Sequence, residues 1–261
     1  MDRGKTFESW FHLTGLNALV TGAGTGLAEP VAKGFAEAGA TVVVGHHELA
    51  EAERVAGAIE AAGGKALPVL LNVADEASVL AAFETTKAKV GDLDILFNGA
   101  MYQSGAPFLE MTAAQWDQMH DTNLRGAFLC SREALKMMVA SGRGGRVLAL
   151  STIGSLHAVL SGNQAYGPSK AGLNALMRNI AFDFAKHGVR ANSILPGPIP
   201  GNAAKIDGFV QGKGPGQDPA RAPFGHGPPH EVARMAVFLA GPSATYISGQ
   251  NIAIDGGWSA L

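Results

Sequence analysis

The fold of this chain is decided by the stretch Asn17-Ala-Leu-Val-Thr-Gly-Ala-Gly-Thr-Gly-Leu-Ala28. Its first five residues form an apolar run typical of a strand, a glycine loop follows at once, and a helical pattern runs from 31 to 38. A strand, a glycine loop and a helix in this order can bind a pyrophosphate, because the glycines permit close backbone approach and the N–H groups at the helix start face the phosphate charge. A glycine-rich loop alone is more often only a turn, so the rest of the chain has to decide.

Beyond this stretch, apolar runs typical of strands alternate with helical patterns. The further predicted strands are 41–45, 66–71, 93–97, 146–150, 189–195 and 251–254. The further predicted helices are 48–62, 76–90, 112–140, 163–187 and 230–240. Alternation at this spacing predicts an α/β fold, a single-domain doubly wound parallel sheet (Rossmann fold) with helices on both faces. Ligands of such sheets bind beyond the carboxyl ends of the strands.

Composition limits the classes of protein to which the chain can belong. With 261 residues, 47% of them hydrophobic, it can bury one large core, and we predict a single domain over 1–261. A net charge of −2 provides no basic surface for nucleic acid. No apolar run approaches the roughly 18 residues of a membrane span, and residues 1–10 lack the apolar core of a signal peptide. The single cysteine, Cys130, cannot form an internal disulfide, so we predict a cytoplasmic protein.

One segment interrupts the alternation, residues 197–229, where glycine and proline crowd the chain. A long irregular stretch within a compact domain is usually a functional lid or a disordered segment. We predict a substrate-covering loop here. His226 and His230 lie close together in sequence, but prolines separate them and no cysteine or carboxylate cluster accompanies them, so we predict no metal site.

A tyrosine and a lysine four residues apart, Tyr166 and Lys170, are the clearest candidates for chemistry. Side chains at this spacing lie on one face of a helix, and a nearby ammonium favours the ionised form of a phenol. The pair therefore predicts a proton donor whose pKa is lowered by its neighbour. A Tyr-x-x-x-Lys pair also arises by chance, and the motifs around it must support the functional interpretation.

Those motifs together resemble the short-chain dehydrogenase/reductase family, from about Leu13 to Trp258. The TGxxxGxG loop of that family corresponds to Thr21-Gly-Ala-Gly-Thr-Gly-Leu-Ala28, with alanine in the last glycine place. Its NNAG stretch corresponds to Asn98-Gly-Ala-Met101, which keeps only the first asparagine. The remaining matches are Asn123 within a helix, Tyr166, Lys170 and Pro196-Gly197. Several weak motifs in the right order are together specific.

The resemblance implies hydride transfer between nicotinamide and an alcohol or carbonyl carbon. Tyr166 would exchange a proton with the substrate oxygen, Lys170 would also hold the nicotinamide ribose, and Asn123 would keep a water in the proton relay. The hydroxyl that steadies the substrate oxygen has three candidates, in order of preference Thr152, Ser151 and Ser155. The alternative is a protein of the same fold that acts as a sensor or assembly partner without turnover, since Pro198-Ile-Pro200 replaces a cofactor-contacting threonine.

The resemblance also implies a cofactor site. Its residues would be Gly22, Gly24, Thr25, Gly26, Leu27, His46, Asn72, Val73, Asn98, Gly99, Ala100, Tyr166, Lys170, Pro196, Gly197 and Ile199. Where an acidic residue would favour NAD and an arginine NADP, the chain has His46 and His47. The missing acid removes repulsion toward the extra phosphate, whereas the missing arginine removes attraction. We predict NADP or NAD, with a slight lean to NADP.

The substrate is predicted only as a small alcohol or ketone, with neither nucleic acid nor membrane as a partner. An aliphatic or cyclic ketone, a sugar or polyol, and a 3-oxoacyl thioester all fit the sequence. The candidate pocket residues are Met101, Tyr102, Gln103, His157, Ile206 and Phe209. From the family we also expect a homodimer or homotetramer, in which the long helices at 112–140 and 163–187 pack across a two-fold axis.

Overall fold

The computed structural model describes residues 10–200 and 214–260. Within these residues a parallel sheet of seven strands has the order β3-β2-β1-β4-β5-β6-β7. The strands are β1 Asn17–Thr21, β2 Thr41–His46, β3 Lys65–Leu70, β4 Ile95–Asn98, β5 Gly145–Leu150, β6 Val189–Pro196 and β7 Asn251–Ile254. The strand order reverses between β1 and β4, which is where doubly wound sheets bind ligands. The predicted fold class is confirmed.

Helices cover both faces of the sheet. They are α1 Ala28–Glu37, α2 Leu49–Ala61, α3 Glu76–Val90, α4 Ala113–His120, α5 Gly126–Ser141, α6 Tyr166–Asp183 and α7 His230–Ala240. Alternate residues of β1 enter different cores: Ala18 and Val20 pack with α1, α2 and α7, whereas Leu19 packs with α3, α5 and α6. Burial on both faces explains why the strands read as unbroken apolar runs. Within the described residues, no helix is long and apolar enough to cross a membrane.

The helix predicted over 112–140 is not a single regular helix. A π-helical turn, Asp121–Arg125, separates α4 from α5. Such a turn inserts an extra residue into a helix and is frequent at functional sites. The helix predicted over 163–187 is also shorter, because α6 begins at Tyr166 and a 3₁₀ turn, Ala185–His187, follows its end. Apolar periodicity continues through both irregularities, which is why it does not reveal them.

The glycine- and proline-rich segment 197–229 is only partly described. Its described portion contains two 3₁₀ turns, Pro215–Gln217 and Pro219–Arg221, where the sequence predicts irregular chain. The indole N–H of Trp258 donates to the carbonyl of Pro215 (3.3 Å), which ties the segment to the end of the chain. Two predicted pocket residues, Ile206 and Phe209, lie outside the described residues. A substrate-covering role for this segment stays a prediction.

Candidate active site

The glycine loop after β1 packs tightly against the segment after β4. Gly22 has a φ of +69°, and a Cβ there would lie 2.5 Å from the Cα of Ala100. The hydroxyl of Thr21 accepts the N–H groups of Gly99 and Ala100, both at 3.1 Å. Glycine is therefore required at position 22 by both its backbone angle and the available space.

The residues at two departures from the family motifs, Ala28 and Gly99, pack against each other. A Cβ on Gly99 would lie 2.7 Å from the Cβ of Ala28. The methyl group of Ala28, in the last glycine place of the loop, thus occupies space that a side chain at position 99 would need. The alanine of the glycine loop, Ala28, and the glycine after Asn98, Gly99, are therefore packed against each other.

The loop also fits the pyrophosphate of a dinucleotide. Helix α1 begins at Ala28, and its N-cap residue, Leu27, makes no side-chain capping bond. The first-turn N–H groups therefore receive no cap from that side chain, and with the helix dipole they suit a phosphate. Gly26 has a φ of +62°, and a Cβ there would meet nothing within 4 Å, while Thr25 is exposed beside it.

Arg54, which sequence analysis misses, ties the loop to α2. Its Nη2 donates to the carbonyl of Gly24 (2.7 Å) and to Glu29 (2.8 Å), and its Nε donates to Glu51 (2.9 Å). The spacing of Glu51 and Arg54 signals a helical ion pair, but no local pattern signals the contact with the loop.

His46, at the end of β2, lies against the same loop. A Cβ on Gly24 would approach its ring to 2.8 Å. Burial, and next the neighbouring His47, lower the pKa of His46. Its Nδ1 accepts the N–H of Glu48 (3.1 Å). His46 is therefore a neutral side chain at neutral pH, and the cation in this corner is Arg54.

Tyr166 and Lys170 lie on one face of α6, as their spacing predicts. Lys170 Nζ is 5.8 Å from the centroid of the Tyr166 ring and donates to the carbonyl of Leu150 at the end of β5 (2.7 Å). The phenol donates to the sulfur of Met101 (3.9 Å). The site therefore has an oriented phenol beside a buried amine.

The predicted direction of the tyrosine pKa is wrong in this structure. Burial raises the pKa of Tyr166, and burial lowers that of Lys170 from 10.5 to about 7. Both groups are withdrawn from water, which disfavours the phenolate and the ammonium alike. Spacing reveals that the two side chains share a face, but it does not reveal how completely they are desolvated.

Asn123 lies in the π turn and joins three segments. Its Oδ1 accepts the N–H of Tyr102 (2.7 Å), while its Nδ2 donates to the carbonyl of Tyr102 (2.8 Å) and to the hydroxyl of Ser169 (3.1 Å). The amide thus fixes the chain after β4 against α6. That Asn123 keeps a water in a proton relay stays a prediction.

The three candidate hydroxyls differ in their hydrogen bonds. Ser151 is buried and donates weakly to the carbonyl of Lys170 (3.4 Å). Ser155 donates to the carbonyl of Thr152 (2.6 Å) and accepts from Asn174 (2.8 Å). Thr152 accepts the N–H of Gly154 (3.1 Å), and within the described residues its hydroxyl proton has no acceptor. Of the three candidates, Thr152 is therefore the one whose hydroxyl proton is not already donated within the described residues, and its contact with a substrate oxygen stays a prediction.

The remaining candidates surround this centre. Asn98 donates to Ser131 (3.1 Å), and its Oδ1 has no partner in the described part of the chain. Asn98 and Val73 line a small cleft that also contains Thr21, Ala100 and Asn123. Asn72 accepts the N–H of Ala74 (3.1 Å) in a local turn. This hydrogen bond is local and does not test the predicted contact of Asn72 with adenine, which stays a prediction.

Two further groups border the site. Gly197, after Pro196, packs so closely on Asp255 that a Cβ would lie 2.5 Å from its Cα, and Ile199 donates back to the carbonyl of Gly197 (2.7 Å). Gln103, a predicted pocket residue, donates to Asn163 (3.0 Å). His157 is exposed, with its ring 5.7 Å from that of Trp258.

Among the described side chains, no group of three or more His, Cys, Asp or Glu is arranged to hold a metal ion.

Known proteins resemble this chain along nearly its whole length. The family model described as Enoyl-(Acyl carrier protein) reductase matches residues 22–259. Cis-4-hydroxycyclohexanecarboxylate dehydrogenase of Sinomonas cyclohexanicum is 35% identical over 252 residues, covering 94% of this chain and 96% of that protein. A short-chain type dehydrogenase/reductase from Mycobacterium marinum has a TM-score of 0.88 and 30% identity, covering 97% of this chain and 99% of that chain. The 7α-hydroxysteroid dehydrogenase complexed with NADH and 7-oxo glycochenodeoxycholic acid has a TM-score of 0.87 and 30% identity, covering 97% and 98%.

The chain belongs to the short-chain dehydrogenase/reductase family. The predicted family is confirmed, and so is the enzyme class, an NAD(P)-dependent oxidoreductase acting on CH–OH groups.

Proposed function

We propose that this protein interconverts a secondary alcohol and a ketone, with Tyr166 as general acid and base. One observation carries the proposal: the amine of Lys170 is bonded to the carboxyl end of β5, which Thr152 follows, while the phenol of Tyr166 contacts Met101. Met101 comes directly after Ala100, which packs on Gly22 of the glycine loop. A proton donor next to a dinucleotide loop is what carbonyl reduction requires.

In the proposed reaction a bound nicotinamide supplies or accepts the hydride. In the reducing direction, Tyr166 gives its proton to the carbonyl oxygen while Thr152 donates a second hydrogen bond to the same oxygen. Lys170, with a pKa of about 7, is partly charged at neutral pH, and its positive form stabilises the phenolate that remains. The residues proposed to hold the cofactor are those that sequence analysis named.

The proposed cofactor preference is a slight lean to NADP. No acidic side chain follows His46 directly at the end of β2, and the guanidinium of Arg54 is bonded to the loop at Gly24. The carboxylates of Glu29 and Glu51 partly neutralise the positive charge of Arg54, because both accept hydrogen bonds from its guanidinium. Fluorescence titration with NADPH and NADH tests this preference, and tighter binding of NADH would contradict it.

The proposed substrate carries its hydroxyl on a ring. Two relatives are named for ring alcohols, a hydroxycyclohexanecarboxylate dehydrogenase and a hydroxysteroid dehydrogenase. The wall of the site at Met101, Tyr102 and Gln103 offers apolar area and one amide, which suits a mostly apolar ring with a polar substituent.

We further propose a single-domain, cytoplasmic homodimer or homotetramer. A free and buried Cys130 supports a reducing compartment. Exposed aromatic side chains on α5 and α6, Phe128 and Phe182, support contacts across these helices.

A panel of cyclic and open-chain alcohols and ketones, assayed with NAD(H) and NADP(H), tests the function directly. Tyr166→Phe should keep cofactor affinity and lower kcat by about 10²-fold or more, because the proton donor is lost. Tyr246→Phe is the matched control, because Tyr246 is fully exposed (102%) and is 80 residues from Tyr166 in the sequence. Cofactor binding without turnover of any panel member would favour the non-catalytic alternative, and activity retained in Tyr166→Phe would exclude the proposed proton donor.

A further inference from the structure

The hydrogen-bond partner of the Tyr166 hydroxyl is a thioether. The phenol donates to Met101 Sδ at 3.9 Å, a distance suited to a weak bond with sulfur. Tyr166 itself is buried, whereas Met101 is 40% exposed. The residue whose sulfur accepts the phenol proton is therefore accessible from solvent.

Met101 is fixed on both sides along the chain. Preceding it, the N–H groups of Gly99 and Ala100 are bonded to Thr21. Following it, both backbone polar groups of Tyr102 are bonded to the amide of Asn123. The backbone on both sides of Met101 is thus held, and the sulfur is within hydrogen-bond distance of the Tyr166 hydroxyl.

Other sulfur atoms in the described residues are better protected. Cys130 is 0% exposed, and burial raises its pKa to about 12, so it is a poor target for oxidants. Met119, Met138 and Met177 are buried, and Met111, Met137 and Met235 are partly buried. Met101 is the methionine of the described chain with an exposed side chain.

We propose that Met101 is a site of reversible oxidation whose sulfoxide withdraws Tyr166 from catalysis. With hydrogen peroxide as oxidant, the O–O bond breaks, sulfur gives up two electrons and gains an S–O bond, and water is released. The new oxygen is a polar acceptor, so it binds the phenol proton more strongly than the thioether does. A dithiol-dependent methionine sulfoxide reductase reverses the change, as sulfur regains two electrons and the oxygen leaves as water.

This proposal rests on the proposed role of Tyr166 as the proton donor. The experiment treats the full chain, Met101→Leu and a matched control, Met235→Leu, with hydrogen peroxide. Peptide mass spectrometry follows the sulfoxide at each methionine, and activity is expressed relative to the same variant before treatment. We expect Met101 to be oxidised first, and activity to fall with its sulfoxide fraction in wild type and Met235→Leu.

In Met101→Leu, inactivation should be slower by about tenfold or more, because the responsive sulfur is gone. Incubation with methionine sulfoxide reductases and dithiothreitol should restore the treated wild type. The proposal is overturned if Met101→Leu is inactivated as fast as wild type. It is also overturned if Met101 is fully oxidised in wild type while activity is unchanged.

A second variant does not depend on the folding of Met101→Leu. Met101→Gln places a polar amide where the sulfoxide would be, so kcat should fall by about tenfold or more while NADPH affinity is kept. Unchanged kcat in this variant counts against the proposal. If untreated wild type turns over no panel member, the proposed function fails instead, and preferential oxidation of Met101 is still read by mass spectrometry.

Discussion

Lys170 is completely buried, and within residues 10–200 and 214–260 its ammonium has a hydrogen bond to the carbonyl of Leu150 but none to a carboxylate. Below pH 7 the ammonium is charged in both folded and unfolded chains, so the folded protein bears the whole cost of desolvating it. Between about 7 and the ordinary value of 10.5 the unfolded chain binds more protons than the folded chain. Raising the pH through this window therefore stabilises the folded state.

Lys170→Met should remove this dependence. Relative to the variant, the wild-type free energy of unfolding should rise with a slope of at most about 1.4 kcal/mol per pH unit between pH 7 and 10. Urea unfolding of both proteins across this range measures the difference. Parallel pH profiles would show that Lys170 is not desolvated in the folded protein.

Thr152 is proposed to donate a hydrogen bond to the reacting oxygen of the substrate. Thr152→Ala should lower kcat by about 10²-fold, because one donor to the reacting oxygen is lost, whereas Thr152→Ser should keep most activity. Ser151→Ala is the neighbouring control and should have a smaller effect. Steady-state kinetics with the best panel substrate decide this, and a larger loss in Ser151→Ala would reverse the assignment.

The segments after β1 and β4 pack against each other through Ala28 and Gly99. Gly99→Asn, which restores the family residue, should destabilise the protein by about 1–3 kcal/mol through overpacking. Adding Ala28→Gly should recover part of the loss, because the Ala28 methyl is removed while the carbonyl of Thr21, 2.7 Å from the same Cβ position, remains. Urea unfolding of the single and double variants measures the coupling, and strict additivity would disprove it.

The attachment of α2 to the glycine loop leads to a cofactor prediction. Arg54→Gln leaves Glu29 and Glu51 without that cation, so NADPH, with its extra phosphate, should lose about tenfold more affinity than NADH at low salt. Arg234→Gln, which breaks a comparable surface pair with Glu231 (2.6 Å), is the matched control. Fluorescence titration of both cofactors tests this, and equal losses would place Arg54 outside the phosphate's reach.

The sequence predicts strands, helices and layer arrangement well, because burial on both faces leaves continuous apolar runs and clear alternation. It also predicts Tyr166 and Lys170 on one face, since helical spacing is local. The bonds from Arg54 to Gly24 and from Tyr166 to Met101 join residues 30 and 65 positions apart, and no local pattern encodes them. The pKa of Tyr166 was mispredicted for the same reason, because burial belongs to the assembled fold.

Exposed aromatic rings lie on α5 and α6, the helices proposed to form the interface between subunits. Phe182, on α6, is 85% exposed, and Phe128 lies on α5. Phe182→Asp should shift the proposed homodimer or homotetramer toward smaller species, because burying a charge between subunits is unfavourable. Size-exclusion chromatography with light scattering measures the mass, and Leu80→Asp on α3 is the control. An unchanged mass in Phe182→Asp would mean that the subunits meet elsewhere.

The π turn at Asp121–Arg125 also governs which changes of length the chain can survive. Removing one residue there would make the helix regular and rotate α4 relative to α5 by about 100°. Met119 and Asn123, which now face α6, could not both keep that direction. A deletion of one residue, which a surface loop would tolerate, would in this turn break the hydrogen bonds from Asn123 to Tyr102 and release the chain next to Met101.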